Sequence, residues 1–200
     1  MNFTKEKIFN TVLNNLGISA VVQNTAENSP RITVLNNYYD MALEQTMKDF
    51  DWNFLRRIEV LTPSVEYSPD PKFHFCYDYP NDCIAARYVI DSFGGNYHKF
   101  DEQTSRKGSK LIVCNIPNAK LQYTRRLENQ IPEAHFTPEF VSAFCFYLAY
   151  LSAQAIINNA QVQQAMFQSY QHFIAKAKAM SANESEHKDE DDRSYVDYRN

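Results

Sequence analysis

Between Lys5 and Leu16 the apolar positions Ile8, Phe9, Val12, Leu13 and Leu16 recur at intervals of three and four, the spacing that gathers side chains on one face of an α-helix. Gly17 follows where a left-handed cap is expected, so the pattern predicts a short amphipathic helix. A loop rich in Asn, Thr and Ser leads to Ser29 and Pro30, an N-cap residue and a first-turn proline. The apolar stripe that follows, Val34, Leu35, Tyr38, Tyr39, Ala42, Leu43, Thr46, Met47 and Phe50, predicts a second helix ending near the sequence DWNF.

From there to about Pro132 the texture changes. Pro63, Pro69, Pro71, Pro80 and Pro117 separate short runs of β-branched and aromatic residues, and strands are expected at LRRIEVLT, KFHFCYDY, AARYVIDSF, KLIVCN and KLQYTRRL. The stretch GGNYHKFDEQTSRKG, with Gly94, Gly95 and Gly108, reads as a loop between the third and fourth of these, with a disordered tip as the alternative. Helical signals return at Thr137, Pro138 and Glu139: an N-cap, a first-turn proline and an acid near the positive end of the helix dipole. The segment FVSAFCFYLAYLSAQAIIN that follows is apolar nearly all the way round, the mark of a central, fully buried helix. A membrane span is the rival reading, opposed by Ser142, Ser152 and Gln154 within the run and by the lack of Lys or Arg at its ends.

A fourth helix is expected from about Gln161 to Met180, with Val162, Ala165, Met166, Tyr170, Phe173, Ile174 and Ala177 on one face. Beyond it, SANESEHKDEDDR has almost no apolar content to offset its ordering entropy and reads as a solvated tether, ending in SYVDYRN. The expected class is α+β: a helical bundle built from both ends of the chain, residues 1–50 and 133–180, with an inserted antiparallel β-rich region over 51–132. Residues 181–200 form an acidic flexible tail in this reading.

Charge sharpens the picture of that tail. Seven of the 24 acids lie in residues 181–200 with only Lys188, Arg193 and Arg199 against them, so the whole formal charge of −4 resides there. The body is neutral and offers no general electrostatic reason to hold nucleic acid tightly. Phe and Tyr are abundant, 14 and 13, while Gly is scarce at 4, which suits a contact-rich assembly protein better than a Gly-looped nucleotide enzyme. Cys76, Cys83, Cys114 and Cys145 have neither zinc-ligand nor CxxC spacing and are expected as buried free thiols. With no leader at MNFTKEKIFN, folding in a reducing cytoplasm is expected.

Candidate chemistry is sparse. Cys83 and His74 are the best thiol and imidazole pair, but no GxSxG turn or third group positions them, and a cysteine-dependent hydrolase is the weakest of three readings. The histidines fall one to a segment, the carboxylate pairs lack a calcium-loop pattern, and neither GxxxxGK[ST] nor GxGxxG occurs, so no metal or cofactor is implied. Arg56 with Arg57, and Arg125 with Arg126, lie near aromatic residues and define an alternative, a nucleic-acid-binding module. The plainer account of these arginines is that alternate strand residues point outward and pair with acids such as Glu59 and Glu128. Trp52 and Phe54 stand where helix gives way to strand and are expected to wedge the two parts together.

In order along the chain, NTVLNNLG, WNFLRR, PDPKFHFCYDYPNDCIAARYV, YTRR and TPEFVSAFCFYLAYLSAQAI resemble the head-to-tail adaptor proteins of short-tailed bacteriophages, the tail tubular protein A or gatekeeper family. The resemblance covers about residues 8–176. It implies a structural virion protein of the neck or tail without catalytic residues, assembled in the host cytoplasm as a ring of twelve subunits. Such a ring joins the portal protein to a distal tail or nozzle protein, and DNA passes through its lumen without specific binding. It also implies that a C-terminal extension reaches into the portal, for which Arg193, Tyr195, Val196, Tyr198 and Arg199 are the candidate anchors.

Overall fold

The computed structural model describes residues 3–19, 21–68, 70–92, 95–126 and 136–194, with side chains as far as Met180. The chain divides into two compact units, residues 1–50 with 132–200, and residues 51–131. The class is α+β, four α-helices and two antiparallel sheets, with the β-rich unit inserted between the second and third helices.

In the helical unit, α1 (Lys5–Asn15) begins at Thr4, whose Oγ1 accepts the Lys7 amide, and ends in a Schellman motif. Gly17 at φ 77° donates to Asn14 O while Ile18 donates to Leu13 O, both at 2.9 Å. The connection to α2 (Pro30–Lys48) is pinned by Asn10, which accepts from the Val22 amide at 2.7 Å and donates to the Val22 carbonyl at 3.0 Å. Ser29 occupies the N-cap of α2, although its hydroxyl makes no capping bond.

Thr137 caps α3 (Pro138–Ile157) by accepting the Phe140 amide at 3.3 Å. Phe140, Val141, Phe144, Cys145, Leu148, Ala149 and Ala153 of α3 are buried, with α1, α2 and α4 packed around them. By length and composition α3 is apolar enough to cross a membrane, with a mean hydropathy of 1.7, but half of that window is already buried inside the protein. Asn158 in the left-handed region ends it, and Asn159 Oδ1 accepts the Gln161 and Val162 amides to start α4 (Ala160–Ser194) after a two-residue turn.

The fourth helix departs from expectation at its end. The backbone is helical to Ser194 rather than giving way to a tether after Met180. The reason is local: residues 181–194 contain no proline or glycine to break a helix. Since α3 has 20 residues and α4 has 35, the second arm of this helical hairpin outruns the first by about 20 Å at 1.5 Å per residue.

The β-rich unit opens with a 3₁₀ turn at Asn53–Leu55 and holds β1 (Arg56–Val60), β2 (Phe75–Asp78), β3 (Cys83–Ile90), β4 (Tyr97–His98), β5 (Phe100–Thr104), β6 (Lys110–Cys114) and β7 (Lys120–Arg125). One sheet has the order β1-β7-β3-β4 and the other β2-β6-β5, every pairing antiparallel. Val89, Leu121 and Tyr123 from the first meet Tyr77, Ile112 and Cys114 from the second in a common core with Leu61 and Ala119. Two strands, β4 and β5, fall inside the expected loop 94–108. Both are edge strands, and β5 (FDEQT) has a single large apolar residue, so its pairing with β6 rather than its own pattern makes it a strand.

Candidate functional site

Three of the motif segments meet at one carboxylate in the β-rich unit. Asp82, from the turn PNDC, accepts the Tyr123 hydroxyl of YTRR through Oδ1 at 2.8 Å and Arg57 Nη1 of WNFLRR through Oδ2 at 3.0 Å. Its carbonyl accepts the Arg126 amide at 2.5 Å. The register makes the cluster possible, because Arg57 lies opposite Tyr123 across β1 and β7, and Cys83 at the head of β3 lies opposite Arg125. Burial, then the bond to Asp82, pushes the Tyr123 phenol up and keeps it a neutral donor.

Two of the arginines proposed to hold nucleic acid are already paired with carboxylates. Arg57 spans two carboxylates, Glu59 at 3.1 Å and Asp82 at 3.0 Å, while Arg56 pairs with Asp51 at 3.0 Å. Asp51 Oδ2 also accepts Gln122 Nε2, so Arg56 and Arg57 are each held in a separate network on β1. Arg125 lies in β7 and Arg126 just beyond it, and Glu128 is outside the described residues. Glu59 was legible as a partner, but Asp51 and Asp82 were not.

Cys83 and His74 do not form a dyad. His74 is tied to Asn115 Oδ1 through both its backbone amide and its Nδ1, at 2.9 and 2.8 Å, whereas Cys83 packs with Tyr79 against the core of the β-rich unit. Burial pushes the Cys83 thiol up to about 11, so it is protonated at neutral pH. Cys83 and Tyr79 line a cleft of about 840 Å³ with Glu59, Asp78, Ser109 and Lys110, and Lys110 Nζ sits 4.8 Å from the centre of the Tyr79 ring. All four cysteines are free thiols, but only Cys114 and Cys145 are buried as expected; Cys76 and Cys83, nearer the sheet edges, are partly exposed. Among the described residues, no three metal-ligating side chains converge.

Trp52 is only 3% exposed and Phe54 is half-buried, their rings 6.3 Å apart at the entrance to the β-rich unit. Of the candidate anchors, Arg193 lies on the helical backbone of α4, and Tyr195, Val196, Tyr198 and Arg199 are outside the described residues.

The motifs of the sequence did not single out the aromatic face of the helical unit. Tyr147 and Tyr150 of α3 pack against Tyr170 and Phe167 of α4, with ring centres 4.7 and 5.0 Å apart. Tyr147, Phe167 and Tyr170 border a groove of about 520 Å³ that Gln45, Asp49, Gln171, Ile174, Ala175 and Lys178 complete. Asp49 accepts the Tyr170 hydroxyl and Gln45 Nε2, and burial raises the Tyr170 phenol above its ordinary value. The excess of aromatic residues was the available signal, since α4 places Phe167 and Tyr170 three apart and α3 places Tyr147 and Tyr150 likewise.

Against models of known protein families and against curated proteins, the chain has no match.

Proposed function

We propose that this chain is a structural head-to-tail adaptor of a short-tailed bacteriophage, a subunit of a ring that binds the portal protein on one side and a tail protein on the other. The observation that carries the reading is the architecture: a helical bundle drawn from both ends of the chain with an antiparallel β-rich insertion is what the motif resemblance implies, and the chain has that plan. Three of the motif segments, WNFLRR, PNDC and YTRR, also meet at Asp82.

A closed ring needs a heterologous interface, one surface of a subunit against a different surface of the next. The end of α4 suits docking on the portal. An acidic helical arm that outruns its hairpin partner is a projecting element, soluble before assembly and able to carry the terminal residues 195–200 to the portal. In this reading Arg193, Tyr195, Val196, Tyr198 and Arg199 are the anchors, and DNA passes through the lumen of a dodecamer whose neutral subunit bodies do not retain it.

The test is reconstitution with purified portal protein, imaged by electron microscopy. Rings on the portal are expected from the full chain, and deletion of residues 181–200 is expected to leave a folded protein that no longer docks. Docking by the truncated chain would remove the arm from the account, and absence of docking by the full chain would remove the adaptor reading.

A further inference from the structure

The sheet β1-β7-β3-β4 ends on an open strand. Among the described residues β1 pairs only with β7, and the Leu61 amide donates to the Ala119 carbonyl at 2.9 Å. That bond sets the alternation of the antiparallel pair: Arg57, Glu59 and Leu61 turn their backbone groups to β7, whereas Ile58 and Val60 turn N–H and C=O to the free edge. The Arg56 amide points the same way and is satisfied by the Asn53 carbonyl. Beside these edge groups the Ile58 and Val60 side chains are 52% and 62% exposed, so the edge is open to solvent.

The other edges are guarded. The outer side of β2 is occupied, since Ser64 donates its amide to Cys76 O and Asp78 donates its own to Thr62 O, both at 2.9 Å. The strand β4 has only two residues, and β5 carries the exposed acids Asp101 and Glu102, whose like charge repels a second copy of that edge. The charges of β1 have both signs instead. Arg57 and Glu59 lie two apart on one face and pair at 3.1 Å, with Ile58 between them on the other face.

We propose that two copies of this chain pair β1 against β1 across a two-fold axis through Ile58, so that the sheet continues from one copy into the other. Each Ile58 exchanges both backbone bonds with its counterpart, and each Val60 amide reaches the Arg56 carbonyl of the other copy. Arg57 falls opposite Glu59 of the other copy, and the charges alternate in sign without separating the Arg57–Glu59 pair already present. The occupant is a second copy because the edge is its own complement. A strand antiparallel to β1 needs a base opposite Glu59, an apolar residue opposite Ile58 and an acid opposite Arg57, in that chain order, and Arg57-Ile58-Glu59 is such a sequence. The same charges fix the axis: moved to Arg57 or to Glu59, it would set like charges face to face. The contact is isologous and closes at two copies, so it is separate from the heterologous contact of a ring and does not rest on the adaptor reading.

Sedimentation equilibrium of the full-length chain, combined with amide hydrogen exchange, tests it. A concentration-dependent dimer is expected, with exchange in Arg56–Val60 slowing as the dimer forms. Ile58→Pro removes the central edge amide and leaves the bonds to β7 in place, so it should weaken dimerisation at least about tenfold. Glu59→Lys sets like charges at both facing positions and should weaken it about tenfold, while Glu102→Lys, the same charge change on the β5 edge, should leave it unchanged. Glu59 is partly exposed, so that variant decides the matter if Ile58→Pro fails to fold. A chain that stays monomeric, a dimer indifferent to Glu59→Lys, equal weakening by Glu102→Lys, or association that leaves the exchange of Arg56–Val60 unchanged would each overturn the proposal.

Discussion

Asp82 and Tyr123 are joined at 2.8 Å across 41 positions of sequence, and the same carboxylate holds Arg57 at 3.0 Å from its other oxygen. One side chain thereby ties the turn before β3 to the neighbouring strands β1 and β7. The Tyr123 side chain is fully buried while its hydroxyl reaches Asp82, so the tyrosine anchors the core and satisfies its polar end at once.

Asp82→Ala is expected to destabilise the protein by about 1–3 kcal/mol, because it leaves the Tyr123 hydroxyl and the Arg57 guanidinium without their shared acceptor. Tyr123→Phe should cost about 1 kcal/mol, the net value of an ordinary hydrogen bond. The two losses should not add, since each variant breaks the same contact. Urea unfolding of the two single variants and the double variant measures the coupling, and strict additivity would mean that the bond contributes nothing.

Trp52 supplies a second prediction. As a buried tryptophan 3% exposed, it should cost about 3–5 kcal/mol when truncated to alanine, with a clear fall in Tm. It is the only tryptophan in the chain, so its emission reports this one environment. Emission from the folded protein should be blue-shifted and should move to the red on unfolding. A wild-type Tm for Trp52→Ala would contradict a packing role.

The legible parts of the fold are those whose signal is local. Gly17 after the stripe Ile8, Phe9, Val12, Leu13 and Leu16 announced a helix end, and the glycine does close a Schellman motif. Thr137 and Pro138 announced the start of α3 for similarly local reasons. By contrast, β5 owes its extended form to β6, and Asp82 owes its partners to strand register over separations of 25 and 41 residues. Tertiary pairings of this kind leave no periodic trace in one sequence. The end of α4 is illegible for a different reason: residues 181–194 carry no apolar stripe to mark a helix, although nothing in them breaks one.

Stability should fall on the alkaline side. Burial raises the Cys145 thiol from an ordinary 9.0 up to about 12 and the Cys83 thiol up to about 11, and burial likewise raises the Tyr79, Tyr123 and Tyr170 phenols above 10.0. These acids keep their protons in the folded chain at pH values where the unfolded chain has released them, so raising the pH favours unfolding. The loss should begin near pH 9, where unfolded thiols ionise, and continue towards pH 11–12. Each fully engaged group adds at most about 1.4 kcal/mol per pH unit. Denaturant midpoints at about pH 7, 9 and 10.5 check the trend, and Cys145→Ala should make the decline shallower whatever it does to stability at neutral pH.

The arginines decide between the adaptor and the nucleic-acid module. A module that grips phosphate needs cations whose charge is available, yet Arg56 is paired with Asp51 and Arg57 bridges Glu59 and Asp82. Binding a phosphate at either would require separating an existing pair, and the neutral body supplies little counterion release to drive it. Titration of the purified chain with duplex or single-stranded DNA at low salt is therefore expected to be flat. Arg56→Ala, which removes an exposed ion pair, should change stability by no more than about 1 kcal/mol and leave that titration unchanged. Binding that weakens steeply with salt and falls on Arg125→Ala would instead favour the module.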